Sequence, residues 1–328
     1  MTLTLHLSRL AFAALLAFSA AAHGAGAPPT FDVEGHRGAR GLAPENTLAA
    51  FRRALAIGVT TIETDVAITR DLVPVISHDP FLNPDIVRDS TGAWVRQRDI
   101  AIHSLTFAEL REYDIGRLDP QSEYAKPFRQ QEAVDGERFP ALADLLTLVR
   151  SHSKRVALNI ETKITPDNAG RTVDPATFVR LILQAVRQAG LEDRVVIQSF
   201  DWRTLLESKR IAPDVPTSCL TIESSSMNTM TPDARGKSPW HGGLTLSEHG
   251  SLPALVKAAG CAIWSPFFRN VTPALVEVSH ALGLRVIPWT VNDQTEMARL
   301  IDVGVDGLIT DYPDRLRTVL AAKGVPLP

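Results

Sequence analysis

Two stretches decide the predicted fold: VEGHRGARGLAPENTLAAF (33–51) and TTIETDVAITRDLVPVISHD (60–79). The second stretch opens with a β-branched run that predicts a strand. On a strand, Glu63 and Asp65 point to one face while Thr64 points to the other. Two carboxylates on one face repel each other unless a cation lies between them. We therefore expect one divalent cation at this pair, Mg²⁺ or Ca²⁺, because both prefer oxygen ligands.

Two histidines bracket this carboxylate pair. His36 lies in the first stretch beside Arg37, and His78 follows the second strand. Histidine can donate or accept a proton near neutral pH, so a pair of them suits general acid–base chemistry. The two stretches thus combine proton-transfer groups, the positively charged Arg37 and carboxylates of the type that bind metals.

Apolar strand-like runs alternate with helical patterns through the rest of the chain, which is typical of a parallel sheet built from βα units. Several helical patterns begin with Thr, Asp or Pro and end in Gly, as capping predicts, and Asn46 is a candidate cap for the first helix. Eight strands are expected, at 31–35, 60–66, 155–161, 194–200, 216–222, 261–266, 285–291 and 306–311. This order predicts an α/β fold, the (β/α)₈ or TIM barrel, over residues 31–323.

Two segments interrupt the alternation. Residues 80–136 lie between the second strand with its hairpin and the following helix, and we interpret them as a small cap insertion that ends in a polar, less ordered run. Residues 223–249 form a long loop after the fifth strand, rich in Ser, Thr, Gly and Pro. Long loops in compact folds are frequently functional, so this loop is expected at the substrate entrance.

The active site of a TIM barrel lies at the C-terminal ends of its strands. Glu161 and Lys163 fall at the end of the third predicted strand. Together with Glu63 and Asp65, Glu161 makes three carboxylates, enough to hold a hard cation and leave room for other oxygens. The alternative is that these carboxylates only pair with neighbouring arginine and lysine side chains.

The ordered motifs HRGARGLAPENT, IETDV and ISHD resemble those of the glycerophosphodiester phosphodiesterases, of the secreted or periplasmic type. PWTVND and DGLITDYP, at the last two strands, are similar to the same family, so the resemblance covers nearly the whole chain after the leader. It implies metal-dependent hydrolysis of a glycerophosphodiester to sn-glycerol 3-phosphate and an alcohol. It also implies that His36 and His78 are the catalytic pair and that Glu63, Asp65 and Glu161 hold the cation.

Five further residues are expected to bind this small-molecule substrate. Arg37 offers a fork of N–H donors to phosphate oxygens, and Lys163 adds a compact charge. Glu45 matches a position of the family motif and is either a contact to the substrate or its neighbours, or a residue of the helix N-terminus. Phe200 and Trp289 end strands and suit the carbon side of glycerol, the alternative being packing in the core.

The chain contains nine histidines, and an isolated histidine is more often structural than catalytic. His6 and His23 belong to the N-terminal leader or its edge. The remaining five lie in helical or loop contexts where we expect no acidic partners, and they are interpreted as background: His103, His152, His241, His249 and His280.

Residues 1–24 have the layout of a secretory signal peptide, since Arg9 precedes an apolar run that ends in small residues. The run is too short to span a bilayer comfortably, although an uncleaved anchor is the alternative. We therefore expect an exported protein, periplasmic or secreted, without a stable membrane anchor after cleavage.

The two cysteines, Cys219 and Cys261, fall on neighbouring predicted strands. In an oxidising compartment they could form a disulfide, and the alternative is two buried thiols. The net charge of −3 provides no general attraction to nucleic acid or to anionic membranes. The expected partner is thus a small molecule rather than a nucleic acid.

Two other functions fit parts of the sequence. A sphingomyelinase D-like phospholipase resembles this family in fold and site, but it needs a more apolar entrance than the polar cap suggests. A non-catalytic phosphodiester-binding protein would keep the phosphate pocket, and the intact histidine pair argues against it. Phosphodiester hydrolysis is therefore the expected activity.

Overall fold

The computed structural model describes residues 31–167 and 170–327. Within these residues the strands are β1 Asp32–Gly35, β2 Thr61–Ile68, β3 Pro74–Ile76, β4 Ala157–Thr162, β5 Val195–Ser199, β6 Thr217–Thr221, β7 Ile263–Pro266, β8 Arg285–Val286 and β9 Gly307–Thr310. The helices are α1 Leu48–Ile57, α2 Phe107–Leu110, α3 Leu142–Ser151, α4 Pro175–Ala189, α5 Trp202–Ile211, α6 Leu246–His249, α7 Leu252–Ala258, α8 Pro273–Ala281, α9 Gln294–Val303 and α10 Pro313–Ala322. Short 3₁₀ helices span Ile102–Ser104, Glu123–Phe128, Glu192–Arg194, Pro239–His241 and Phe268–Asn270.

Eight of these strands form one parallel sheet in the order β8–β7–β6–β5–β4–β2–β1–β9, and β3 pairs antiparallel with β2. Backbone hydrogen bonds join the two end strands, from Asp306 N to Val286 O at 2.9 Å and from Ile309 N to Pro288 O at 3.0 Å. These bonds close the sheet into a barrel. The predicted (β/α)₈ barrel is therefore confirmed.

The seventh barrel strand is shorter than predicted. Only Arg285–Val286 of the expected 285–291 forms a regular strand, because Pro288 has no N–H to give to the ladder. The following backbone still runs beside β7, since Ile287 N donates to Trp264 O at 3.0 Å and Trp289 N donates to Pro266 O at 3.1 Å. Trp289 therefore lies at the C-terminal end of the barrel, as a strand-end residue would.

The first helix begins one residue later than Asn46 suggested. Thr47 is its cap, because the Thr47 hydroxyl accepts a hydrogen bond from Ala50 N. The prediction that Asn46 caps this helix is wrong. Asn46 has a φ of +56°, and its side-chain amide donates to Asp65 Oδ2 at 2.9 Å instead. The left-handed backbone turns this side chain towards the strand-end carboxylates.

Residues 80–136 have a small apolar core of their own against β2 and β3. Its buried members are Ala67, Val75, Leu82, Val87, Ile102, Leu110, Ile115 and Phe139. The part expected to be polar and less ordered contains the 3₁₀ helix Glu123–Phe128. This helix carries Tyr124, whose hydroxyl reaches the barrel mouth and contacts Arg40 Nη1 at 3.0 Å.

A disulfide joins Cys219 and Cys261, whose Cα atoms lie 6.0 Å apart. Cys219 lies on β6 and Cys261 just precedes β7, which pairs with β6. Among the described residues, no helix combines the length and hydrophobicity required to cross a bilayer. The predicted signal peptide, residues 1–24, lies outside the described part of the chain.

Candidate active site

Three carboxylates meet at the C-terminal ends of β2 and β4. Strand register places Asp65 opposite Glu161, and Glu63 shares the face of Asp65 because side chains alternate along a strand. Oxygen atoms of Glu63, Asp65 and Glu161 lie within 4.8 Å of one another, and all three residues are buried. The structure thus brings together the three residues that the sequence suggested as metal ligands.

The electrostatics of this triad favour an added cation. Burial raises the pKa of Glu161 to about 7, although Lys163 Nζ, 2.7 Å from Glu161 Oε1, opposes the shift. Burial and the neighbouring carboxylates Asp65 and Glu161 also raise the pKa of Glu63. Although burial opposes it, Lys163 holds the pKa of Asp65 below its usual range. Within the described part of the chain, Asp65 Oδ1 has no hydrogen-bond partner, so the three carboxylates suit a divalent cation better than they suit their own neighbours.

A chain of buried amides orients Glu63 from inside the barrel. Gln198 Nε2 donates to Glu63 Oε1 at 2.8 Å, and Asn159 Nδ2 donates to Gln198 Oε1 at 3.0 Å. Asn159 Nδ2 also donates to Glu34 Oε2 at 2.8 Å. The side-chain N–H groups of Asn159 and Gln198 each point towards the next acceptor in this series. This arrangement orients Glu63 so that its Oε1 accepts a hydrogen bond from Gln198.

His36 is held by Asp311, at the end of β9. His36 Nδ1 lies 2.7 Å from Asp311 Oδ1, and His36 Nε2 lies 3.9 Å from Glu63 Oε2. Although burial opposes it, Arg40 and His36 hold the pKa of Asp311 below its usual range. The ionised carboxylate places the imidazole proton on Nδ1 and leaves Nε2 free to accept one. Burial and Arg40 lower the pKa of His36 to about 4, so the ring is neutral at neutral pH.

His78 is half-buried on the same cavity. Its Nδ1 lies 3.3 Å from Asp79 Oδ1. Burial, together with Arg37 and Lys163, lowers the pKa of His78. The two histidines therefore differ, because His36 has a buried and tightly bonded carboxylate while His78 has a longer and more exposed contact.

Arg37 has a strained backbone, and two neighbouring glutamates accept hydrogen bonds from it. Its φ is +48°, a left-handed conformation that costs about 1–3 kcal/mol for a residue with a side chain. The Arg37 N–H donates to Glu63 Oε2 at 2.9 Å, and Arg37 Nη1 donates to Glu45 Oε1 at 2.6 Å. Tyr124 also donates a short hydrogen bond to Glu45. Glu45 therefore positions Arg37 and does not act at the helix N-terminus.

These groups surround a cavity of about 180 Å³. Its lining residues are His36, Arg37, Arg40, Glu63, His78, Glu161, Lys163, Gln198, Phe200, Leu220, Trp289, Thr290 and Ile309. The rings of Phe200 and Trp289 meet edge to face at 5.2 Å on one wall. Of the predicted site residues, Glu45 and Asp65 contact Arg37 without lining the cavity.

Sequence reasoning missed three contributors to this site. Arg40 lies inside the quoted HRGAR motif, and Asp311 ends the last barrel strand, so the strand-end rule could have found it. Tyr124 lies in the insertion, residues 80–136, and no local sequence pattern indicates that it reaches the site. The expectation that the background histidines have no acidic partners is wrong for His280, whose Nε2 lies 2.9 Å from Asp306 Oδ2.

Comparison with known proteins supports one family. A sequence model of the glycerophosphoryl diester phosphodiesterase family matches residues 36–315. The glycerophosphodiester phosphodiesterase of Caldanaerobacter subterraneus subsp. tengcongensis is 30% identical over 293 residues, covering 88% of this chain and 97% of that protein. A solved structure from Silicibacter pomeroyi DSS-3, assigned to the glycerophosphoryl diester phosphodiesterases, has a TM-score of 0.81 and 38% identity over 92% of this chain and 97% of that one.

A more distant structure shares the fold. The phosphodiesterase of Oleispira antarctica, solved in complex with the product sn-glycerol-3-phosphate, has a TM-score of 0.65 and 23% identity over 88% of this chain and 96% of that one. The family match spans most of the chain and includes both histidines and all three clustered carboxylates. The chain therefore belongs to the glycerophosphoryl diester phosphodiesterase family.

Proposed function

We propose that this protein hydrolyses glycerophosphodiesters to sn-glycerol 3-phosphate and an alcohol. The observation that carries the proposal is the buried triad of Glu63, Asp65 and Glu161, because Glu63 and Glu161 line the same cavity as His36 and His78. Phosphodiester hydrolysis requires positive charge at the phosphoryl oxygens and two proton-transfer groups. The relatives described above support the same reaction.

The triad is the proposed site of one divalent cation, Mg²⁺ or Ca²⁺. Its three carboxylates outnumber the two neighbouring positively charged side chains, Lys163 and Arg37. Arg37 also forms an ion pair with Glu45. When bound, such a cation supplies Lewis-acid stabilisation of negative charge on the phosphoryl group. The oxygen-only donor set suits Mg²⁺ or Ca²⁺ rather than a softer metal.

Arg37 and Lys163 are proposed to attract and orient the phosphate. The bond from Glu45 fixes the guanidinium of Arg37 before substrate arrives, so little reorganisation is needed when charge develops. Phe200 and Trp289 offer ring faces to the carbon side of the glycerol. Lys163 adds a compact charge on the same wall.

The two histidines are proposed to divide the proton transfers. Water attacks phosphorus, and its proton passes to His36 Nε2 while Asp311 holds the proton on Nδ1 and stabilises the imidazolium. The bond between phosphorus and the alcohol oxygen breaks, and His78 delivers a proton to that oxygen. The negative phosphodiester raises the proton affinity of His78 when substrate binds, which prepares it for this role.

We also propose that the protein is exported, by way of a signal peptide at residues 1–24. The disulfide between Cys219 and Cys261 supports this proposal, because disulfides persist mainly in oxidising compartments. Cell fractionation followed by N-terminal sequencing tests it. A full-length cytoplasmic protein with two free thiols would contradict it.

Phosphorus NMR of glycerophosphocholine with the purified protein tests the reaction. We expect glycerol 3-phosphate as the product, and we expect the His36→Ala and His78→Ala variants to lose at least about 100-fold in kcat. His280→Ala removes a surface histidine that also pairs with a carboxylate, and it should keep full activity. Near-normal turnover by both active-site variants would overturn the proton-transfer scheme.

A further inference from the structure

A second cavity, of about 320 Å³, opens beside the catalytic one. The two cavities share the wall residues His78, Glu161, Lys163, Phe200 and Trp289. They are therefore two arms of one groove that meet at Glu161 and His78. We refer to the catalytic cavity as the inner arm and to the second cavity as the outer arm.

The two arms differ in chemistry. The inner arm adds polar side chains to the shared wall, among them Arg40, Gln198 and Thr290. The outer arm adds mainly apolar side chains, which include Ile164 and the pair Met227 and Trp240 from the loop after β6. A diester lying across the groove would therefore place one substituent among polar groups and the other among apolar ones.

Aromatic rings form the main wall of the outer arm. The Phe200 ring meets the Trp289 ring at 5.2 Å and the Trp240 ring at 6.4 Å, both edge to face. Such rings bury a large apolar area, and they pack well against hydrocarbon. This wall suits a substituent longer than the two or three carbons of a small polar alcohol.

The loop that carries Trp240 is held in place by its own contacts. Ser238 Oγ donates to Thr229 O at 2.6 Å, and the His241 ring stacks on Trp202 at 4.5 Å. These contacts flank Trp240 on both sides in sequence. The outer arm is therefore largely formed before substrate binds, which reduces the entropy cost of binding.

The charges of the outer arm disfavour a cationic substituent. Among the described lining residues, Lys163 and Arg171 are positive and Glu161 is the one carboxylate. Glu161 is already part of the triad and bonds to Lys163 at 2.7 Å. A quaternary ammonium group would gain contact with the rings, but it would meet the positive charge of Arg171 and no carboxylate that is free of Lys163.

We infer that the outer arm binds the leaving alcohol of the substrate and that this alcohol carries a hydrocarbon chain. The inference rests on the proposed function and names its substrate class. Glycerol, with its free hydroxyls, occupies the polar inner arm. Water supplies oxygen to phosphorus, the bond to the apolar alcohol breaks, and His78, which borders both arms, protonates the departing oxygen.

A series of sn-glycero-3-phosphoalkanols tests this inference. The methyl, butyl and hexyl diesters differ only in the leaving alcohol, and release of glycerol 3-phosphate gives kcat/KM for each. We expect a rise of roughly twofold to fourfold for each added methylene, the value for a carbon that is partly or fully buried. Glycerophosphocholine should fall below the hexyl diester. Equal kcat/KM along the series, or a preference for choline over every alkyl group, would overturn the inference.

Two substitutions test whether the outer arm causes the preference for longer alkyl groups. Trp240→Ala and Met227→Ala should each reduce the hexyl-to-methyl ratio of kcat/KM by at least about fivefold, because each removes apolar wall from the outer arm. Trp94→Ala is the matched control, since Trp94 lies on the insertion against Arg88. An unchanged ratio in both test variants would show that the hydrocarbon binds elsewhere.

The outcomes separate this inference from the proposed function. Release of glycerol 3-phosphate with a flat alkyl series overturns only the assignment of the outer arm. No release from any diester overturns the proposed function and with it the substrate class. The wild-type series alone decides the preference, so the test does not depend on whether either variant folds.

Discussion

Asp311 carries the negative charge that prepares His36 to accept a proton. Its carboxylate lies 2.7 Å from His36 Nδ1 and accepts a hydrogen bond from Arg40 Nε at 2.7 Å, in a fully buried setting. The substitution Asp311→Asn keeps the shape but removes the charge. The new amide can also present an N–H to His36, which favours the tautomer that has its proton on Nε2 and no free acceptor there.

The structure gives the expected size of this effect. A protonated His36 would have its charge about 4 Å from that of Asp311, and such a pair is worth about 4 kcal/mol at an effective dielectric constant of 20. That energy corresponds to roughly a thousandfold in rate. Asp311 does not line the cavity. We therefore expect Asp311→Asn to lower kcat about a thousandfold and to change KM little.

Steady-state release of glycerol 3-phosphate measures both parameters, with thermal unfolding as the check on folding. Asp306→Asn is the matched control, because Asp306 pairs with the exposed His280 at 2.9 Å and an amide oxygen can still accept the hydrogen bond from Val286 N. Its kcat should be unchanged. A kcat for Asp311→Asn within tenfold of the wild-type value would refute the proposed role of the His36–Asp311 pair.

Four other predictions test separate parts of the molecule. Asp65→Asn should weaken Mg²⁺ or Ca²⁺ binding by at least about 100-fold in titration calorimetry, since it removes one of three charged ligands. Asn159→Leu leaves two buried acceptors, Glu34 Oε2 and Gln198 Oε1, without their donor. It should lower the free energy of unfolding in urea by about 2 kcal/mol. An unchanged free energy of unfolding would contradict the stabilising role of these hydrogen bonds. Burial lowers the pKa of His241 to about 4, so the folded state loses stability as the pH falls from 6.5 towards 4. The variant His241→Phe should lose less stability over this pH range in thermal melts. An unchanged pH dependence would contradict this role of His241. Reduction of the Cys219–Cys261 disulfide, whose cysteines are 42 positions apart, should cost about 4 kcal/mol in the same urea assay, and equal stability of oxidised and reduced protein would contradict this.

The barrel could be predicted because its signals are local and repeated. Each βα unit has its own apolar run and caps, and the two-residue period of a strand places Glu63 and Asp65 on one face. Glu161 joins them because parallel strands bring their carboxyl ends to one edge. Thus the positions of the clustered carboxylates followed from local pattern and topology alone.

The features that sequence reasoning missed depend on long-range contacts or on single backbone angles. Tyr124 contacts Arg37 across 87 positions of sequence, and no local pattern marks such a contact. Asn46 looks like a helix cap until its positive φ is known. Pro288 ends the regular part of β8, yet neighbouring N–H groups continue the pairing. The apolar outer arm was missed for the same reason, since its walls come from separate strand ends and a distant loop.

The metal dependence of glycerol 3-phosphate release tests the proposed active site most directly. The protein is treated with a chelator until elemental analysis detects no bound metal, and activity is then measured before and after Mg²⁺ or Ca²⁺ is restored. We predict that activity disappears with the metal and returns with one of the two ions, and that the ion does not restore Asp65→Asn at the same concentration. Full activity in the metal-free protein would contradict a cation site at Glu63, Asp65 and Glu161.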